Sequence, residues 1–136
     1  MVKGFTLIEI LIVVIIISLL ASLVGPKLFK KVGASRQKTA MAQITLIETA
    51  LKTFRLDVGR YPTTEEGLKA LIVSPEGLRM WDGPYLEKDI PLDPWGNPYV
   101  YKSPGEKYEY EIISFGADGK AGGEGESADI SSWQIK

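Results

Sequence analysis

The carboxylates of this chain fall into three kinds of setting, each with its own chemistry. Glu9 stands alone inside the aliphatic stretch from Phe5 to Val24. An acid there is a charge in need of a partner, because ionised groups deep in a bilayer are costly and are seldom kept without one. Asp118, Glu124, Glu126 and Asp129 share the glycine-rich run S-F-G-A-D-G-K-A-G-G-E-G-E-S-A-D-I. These are hard oxygen donors on a flexible backbone, and they suit Ca²⁺, which takes six to eight oxygens from carboxylates, carbonyls and water. The spacing is not that of an EF-hand, and an ordinary solvated acidic loop accounts for the same residues. Glu109 with Glu111, or Asp118 with Asp129, could form the paired carboxylates of a hydrolase, though solvated strand faces and a loop explain those acids more simply.

Other chemistry is excluded by composition. The chain has no cysteine and no histidine, which removes disulfides, Cys/His zinc sites, thiol nucleophiles and His-based triads. The formal net charge is −1, so no overall field recruits nucleic acid.

The elements that must position these residues begin with the apolar segment. Phe5 to Val24 is about 20 residues, long enough as a helix to cross the hydrocarbon core of a bilayer. A secretory signal would share Lys3 as its basic start and small residues at Ala21 and Ser22, but its apolar region is shorter and has no use for Glu9. A plain anchor needs only that Glu9, near one end, reach the headgroups. Gly25-Pro26 predicts a kink or a melted turn. Beyond it, Ile44, Ile47, Leu51, Phe54 and Val58 recur at helical spacing as one buried stripe, with Thr45, Glu48, Lys52 and Arg55 facing water and Glu48 and Lys52 paired at i, i+4. The whole predicted helix runs from Phe5 to Asp57, with Gly59 as its stop.

The remainder reads as a small α+β head. Thr63 and Glu66 form a capping box for a short helix carrying Leu68, Leu71 and Ile72, ended by Ser74-Pro75. Asp93-Pro94 and Gly96-Asn97 are turn chemistry, with Trp95 directed to the core. Tyr99–Lys102 and Lys107–Phe115 read as an antiparallel hairpin in which Tyr108, Tyr110 and Ile112 alternate with Glu109, Glu111 and Ile113, and Ser132–Ile135 adds a short third strand. A sheet this small must be covered on one face, and the helix stripe is the available cover.

K-G-F-T-L-I-E-I followed by an aliphatic span resembles the processing site of type IV pilin-like proteins. R-Y-P-T-T-x-x-G-L-x-A-L, P-x-D-P-W-G-N-P-Y, S-x-G-A-D-G and D-I-x-x-W extend the resemblance, in order, to the major pseudopilins of type II secretion systems. Type IV pilins of surface fibres share the first segment, but usually carry a C-terminal disulfide that this chain cannot form.

The resemblance implies a lollipop: a leader over residues 1–4, a membrane and filament-core half-helix over 5–25, and a periplasmic head over 26–136. It implies cleavage between Gly4 and Phe5 by a prepilin peptidase, methylation of the Phe5 amine, and pairing of that amine with Glu9 of a neighbouring copy, an attraction that low dielectric strengthens. The implied function is structural: a homo-oligomeric helical filament, anchored in the inner membrane, that works with minor pseudopilins and an inner-membrane secretion platform to export folded proteins. Family members of this kind bind Ca²⁺ through an Asp that matches Asp118 and two adjacent Asp of which the second matches Asp129. The first is Ala128 here, leaving Glu124 or Glu126 to replace it, with carbonyls such as that of Phe115 also contributing. A surface-fibre pilin and a monomeric anchored binding module are the alternatives. The charges after the span carry an opposite topological signal. Lys27, Lys30, Lys31, Arg36 and Lys38 precede any acid before Glu48, and the positive-inside rule sets such a run in the cytoplasm, whereas the resemblance implies the periplasm.

Overall fold

The structure, a computed structural model, describes residues 4–134. It divides into two units between Ala34 and Ser35. One helix, α1 (Leu7–Val58), contributes to both.

In the first unit Gly4 to Thr6 are irregular and the rest is helix. Its aliphatic side chains from Leu7 to Val24 are roughly half or more exposed on every side. A helix apolar all round and left uncovered belongs in lipid or against other helices. Among the described residues it is the one helix long and apolar enough to cross a membrane. The hydroxyls within it are satisfied locally, Ser18 donating to the Val14 carbonyl at 2.7 Å and Ser22 to the Leu19 carbonyl at 2.7 Å. Of the kink or melted turn that the sequence predicts at Gly25-Pro26, the melted turn is absent: α1 remains helical through both residues. Proline removes one donor and costs the helix one bond there, without ending it.

The second unit holds the core. Ala40, Ile44, Ile47, Leu51 and Phe54 line one face of α1 and are buried against Leu68, Leu71, Leu86, Tyr99, Tyr101, Ile112 and Ile130, as the stripe predicts. On the water side the hydroxyls of Thr39, Thr45, Thr49 and Thr53 each donate to the carbonyl four residues earlier, at 2.9–3.1 Å. Glu48 does not pair with Lys52. Its carboxylate accepts the Tyr110 hydroxyl at 2.6 Å, a bond across the fold that displaces a weak surface pair. Gly59 ends α1 as expected, with a φ of 90° and its N–H on the Arg55 carbonyl at 2.8 Å.

The capping box forms but does less than predicted. Thr63 Oγ1 accepts the Glu66 amide at 3.2 Å and Glu66 Oε1 accepts the Thr63 amide at 2.9 Å. They close a single turn, because Gly67 at φ 65° leaves the helical region, and a 3-10 turn over Leu68–Leu71 replaces the expected helix.

The sheet has three antiparallel strands in the order β1 (Val100–Lys102), β2 (Glu111–Ser114), β3 (Ile130–Ser131). Tyr101 pairs with Ile112, and Ser114 with Ile130. β1 and β2 are shorter than the sequence predicts, and the third strand is misplaced in the prediction: β3 precedes the expected Ser132–Ile135 segment, of which Ser132–Gln134 form a 3-10 turn instead. Lys107 to Tyr110 leave the ladder because the Gly105 amide closes a tight loop on the Tyr108 carbonyl at 2.9 Å, while Tyr110 turns toward α1 and stacks edge-on against Tyr61 at 4.7 Å. Glu111, predicted to face water, is 5% exposed and its carboxylate accepts the Glu106 amide at 2.9 Å. Every residue of β2 is buried, so the half-buried alternation is absent. β3 ends before Ser132, whose hydroxyl accepts the Ile112 amide at 3.1 Å as a 3-10 turn begins. Ile135, the last residue of the predicted strand, lies outside the described residues.

Candidate functional site

The first candidate site is the start of α1. Gly4 is exposed and irregular, Phe5 is 82% exposed, and so the peptide bond between them is held in no element. Thr6 and Glu9 then form a capping box. The Thr6 amide donates to Glu9 Oε2 at 3.1 Å, and the Glu9 amide donates to Thr6 Oγ1 at 3.2 Å. Helix starts leave amides without partners, and each side chain here satisfies one, with the carboxylate at the positive end of the helix dipole. Thr6 was not singled out as a functional residue by the sequence, although T-x-x-E ahead of an apolar run is the usual signal. Met1 to Lys3, the rest of the expected leader, lie outside the described residues.

The second candidate is the acidic loop, which a network of backbone and side-chain bonds holds to the head. The Ala117 amide donates to the Glu126 carbonyl at 2.8 Å. Gly116, at φ 74°, packs so closely there that a Cβ would lie 2.6 Å from the Glu126 carbonyl oxygen and 2.9 Å from that of Ala128. From α1, Gln37 Nε2 donates to the Gly125 carbonyl at 2.7 Å and the Arg36 guanidinium stands 3.9 Å from Glu126. Neither α1 residue carries a motif that points to the loop from the sequence.

The loop carboxylates are dispersed. Asp118 is exposed, and its Oδ1 accepts the Lys120 amide at 3.1 Å within its own turn. Glu124 and Glu126 are exposed. Asp129 is the inward one: Oδ2 accepts the Gly122 amide at 3.0 Å, while Oδ1 is buried with no hydrogen-bond partner. Among the described residues no three Asp or Glu side chains converge to hold a metal ion. An orphaned buried carboxylate oxygen in a carbonyl-rich loop fits a hard cation, which would draw on Asp129 and backbone oxygens more than on a cage of acids.

Beneath the loop lies a carboxylate that the sequence marked only as turn chemistry. Asp93 is 3% exposed; its Oδ1 accepts the Trp95 and Asn97 amides at 3.1 and 2.8 Å, and its Oδ2 accepts the Ser114 hydroxyl at 2.8 Å. Ser114 Oγ in turn accepts the Gly116 amide at 3.3 Å. Asp93 therefore ties the D-P-W-G-N turn to the end of β2 and the start of the acidic loop. Trp95 packs partly buried against the core, its indole N–H buried without a partner.

Residues 27–133 match the family described as type II secretion system protein G, and residues 1–25 match the prokaryotic N-terminal methylation motif. The chain belongs to the protein G family of type II secretion systems. It is 43% identical over 136 residues to type II secretion system core protein G of Vibrio cholerae, spanning 98% of this chain and 92% of that one. The identity to the Escherichia coli K12 core protein G is also 43%, over 98% and 92% of the two chains. Among solved structures it is similar to the major pseudopilin from the type II secretion system of enterohaemorrhagic E. coli, with a TM-score of 0.68 and 32% identity over 81% of this chain and 96% of that one. The chain is thus a major pseudopilin of the α+β pilin-like fold, a structural subunit with an N-terminal helix suited to inner-membrane anchoring.

Proposed function

We propose that this pseudopilin is processed between Gly4 and Phe5 by a prepilin peptidase and assembles through α1 into a helical periplasmic filament that helps move folded proteins across the outer membrane. The single observation that carries the reading is the uncovered apolar surface of Leu7 to Val24, which begins at an ordered carboxylate. Buried apolar area stabilises by about 25 cal/mol per Å², and a second copy or lipid is what can cover this surface. Cleavage would leave Thr6 and Glu9 in place, so the capping box would present Glu9 close to the new amine of an adjoining Phe5. The head would lie on the periplasmic side, with minor pseudopilins and the secretion platform as further partners, and no catalytic step is required of it.

Glu9→Gln, expressed in the native secretion system, tests this reading. The expected outcome is a folded, membrane-inserted chain with sharply reduced filaments and export. Filaments at the unaltered level would overturn it, as would mature protein that still begins at Met1.

We also propose that the acidic loop holds Ca²⁺, with Asp129 as its anchor and Asp118, Glu124 or Glu126 and the Phe115 carbonyl as further oxygen donors. The buried, unpartnered Asp129 Oδ1 supports this. The ion would neutralise acid charge and stiffen the loop.

A further inference from the structure

The first turns of α1 beyond the apolar span have two sides. Lys27, Lys30 and Lys31, at i, i+3 and i+4, share one face of the helix, and Leu28, Phe29 and Val32 share another. All six are exposed, Phe29 by 75%. Among the described residues none of the three lysines makes an ion pair, whereas the next cation, Arg36, stands by Glu126. No acid occurs from Ile10 to Ile47, so the lysines have no local counter-charge. Pro26 lies inside α1, so the helix carries the lysines directly on from Val24, Lys27 within about one turn's rise and Lys31 within about two.

We propose that Lys27, Lys30 and Lys31 form a collar on α1 that binds the phosphate groups of anionic phospholipids at the bilayer surface. This rests on the reading that the apolar span sits in a membrane. A lipid surface meets both faces of the turn: phosphates answer the lysines, and the interfacial region answers Leu28, Phe29 and Val32. The acids of a second copy would answer only the lysines. The consequence is a subunit retained by headgroup contacts as well as by its apolar span, contacts that must be released when it leaves the bilayer for a filament.

The test uses the full chain in lipid nanodiscs of equal phosphatidylcholine and phosphatidylglycerol, with the lipids that stay bound identified by native mass spectrometry. Attraction to an anionic surface corresponds to roughly fivefold per basic residue. The expected result is several-fold enrichment of phosphatidylglycerol, falling to near parity in the Lys27→Gln/Lys30→Gln/Lys31→Gln chain and retained in the corresponding triple Lys→Arg chain. Parity in the unaltered chain would overturn the proposal, and so would enrichment that survives the glutamine changes. Loss of chain-to-chain association with the lipid ratio unchanged would assign the lysines to a second copy instead. A chain released without any lipid would overturn the membrane reading, and the collar with it.

Discussion

Glu9 Oε2 receives the amide hydrogen of Thr6 at 3.1 Å while Thr6 Oγ1 receives that of Glu9 at 3.2 Å. The acid in the apolar segment therefore has a first partner inside its own chain, which offsets part of its cost in lipid and leaves the charge itself for a neighbour's amine to answer. Thr6→Ala removes half of the arrangement and leaves the acid. Loss of such a cap costs about 0.5–2 kcal/mol. Hydrogen exchange on the detergent-solubilised chain should show faster exchange at the Thr6 and Glu9 amides and no change in the head. Unaltered protection at those amides would mean that the box does not persist in solution.

Asp93 is the carboxylate whose loss the head should feel most. Its two oxygens hold two backbone amides and the Ser114 hydroxyl out of water, and bonds to a charged group contribute about 1.5–3 kcal/mol each. Asp93→Ala is expected to lower the melting temperature of the head by many degrees. Asp93→Asn, which keeps an acceptor, should lower it less.

Truncating Phe54, fully buried and edge-on to Tyr85 at 5.6 Å, should cost about 3–5 kcal/mol in a denaturant titration of the head transition. Leu56→Ala, two residues away and 84% exposed, should cost close to nothing.

The pH response has an acid and an alkaline arm. The Arg60 guanidinium, bonded to Glu66 at 2.6 Å, holds that carboxyl below its ordinary value. A carboxylate with a depressed pKa in the fold contributes stability that is present above its unfolded pKa and lost as pH falls through the folded one. Melting temperature should therefore fall below about pH 4.5, and less steeply in Glu66→Gln. At the other end, burial pushes Tyr101 up to about 12, and burial raises Tyr99 and Tyr110 as well. A phenol favoured in its neutral form loses stability as pH rises from the unfolded value near 10 toward the folded one. Tyr101→Phe should flatten that alkaline decline.

If the acidic loop holds Ca²⁺, a full chain melted with calcium and again after chelation should show a lower transition without the ion. Asp129→Asn should abolish the difference. Superimposable curves for the unaltered chain would remove the ion from the loop.

The helix stripe, Gly59 as a stop and the antiparallel hairpin were legible because each is set by local spacing: the core takes Ile44, Ile47, Leu51 and Phe54 at the predicted intervals. The strand lengths were not legible. Glu109 and Glu111 look alike in sequence, yet Glu109 meets Arg55 at 2.8 Å on the surface, while Glu111 turns in to a backbone amide. That choice is made by long-range partners that spacing does not encode. At the sites, Glu9 lies in the first turn of α1, while Asp118, Glu124, Glu126 and Asp129 share a loop without converging. What it could not give were the ties from outside the motif, Gln37 and Arg36 to the acidic loop and Asp93 to Ser114, each joining residues far apart in the chain. Thr6 was legible as the first residue of T-x-x-E, the capping signal that ends at Glu9.

The back-bonded threonines of α1 alter how its outer side meets water. Each hydroxyl hydrogen is already spent on a carbonyl of the preceding turn, so toward water these hydroxyls act as acceptors alone. A strip that composition scores as donor and acceptor alike thus meets solvent, at these four positions, with no hydroxyl hydrogen to give.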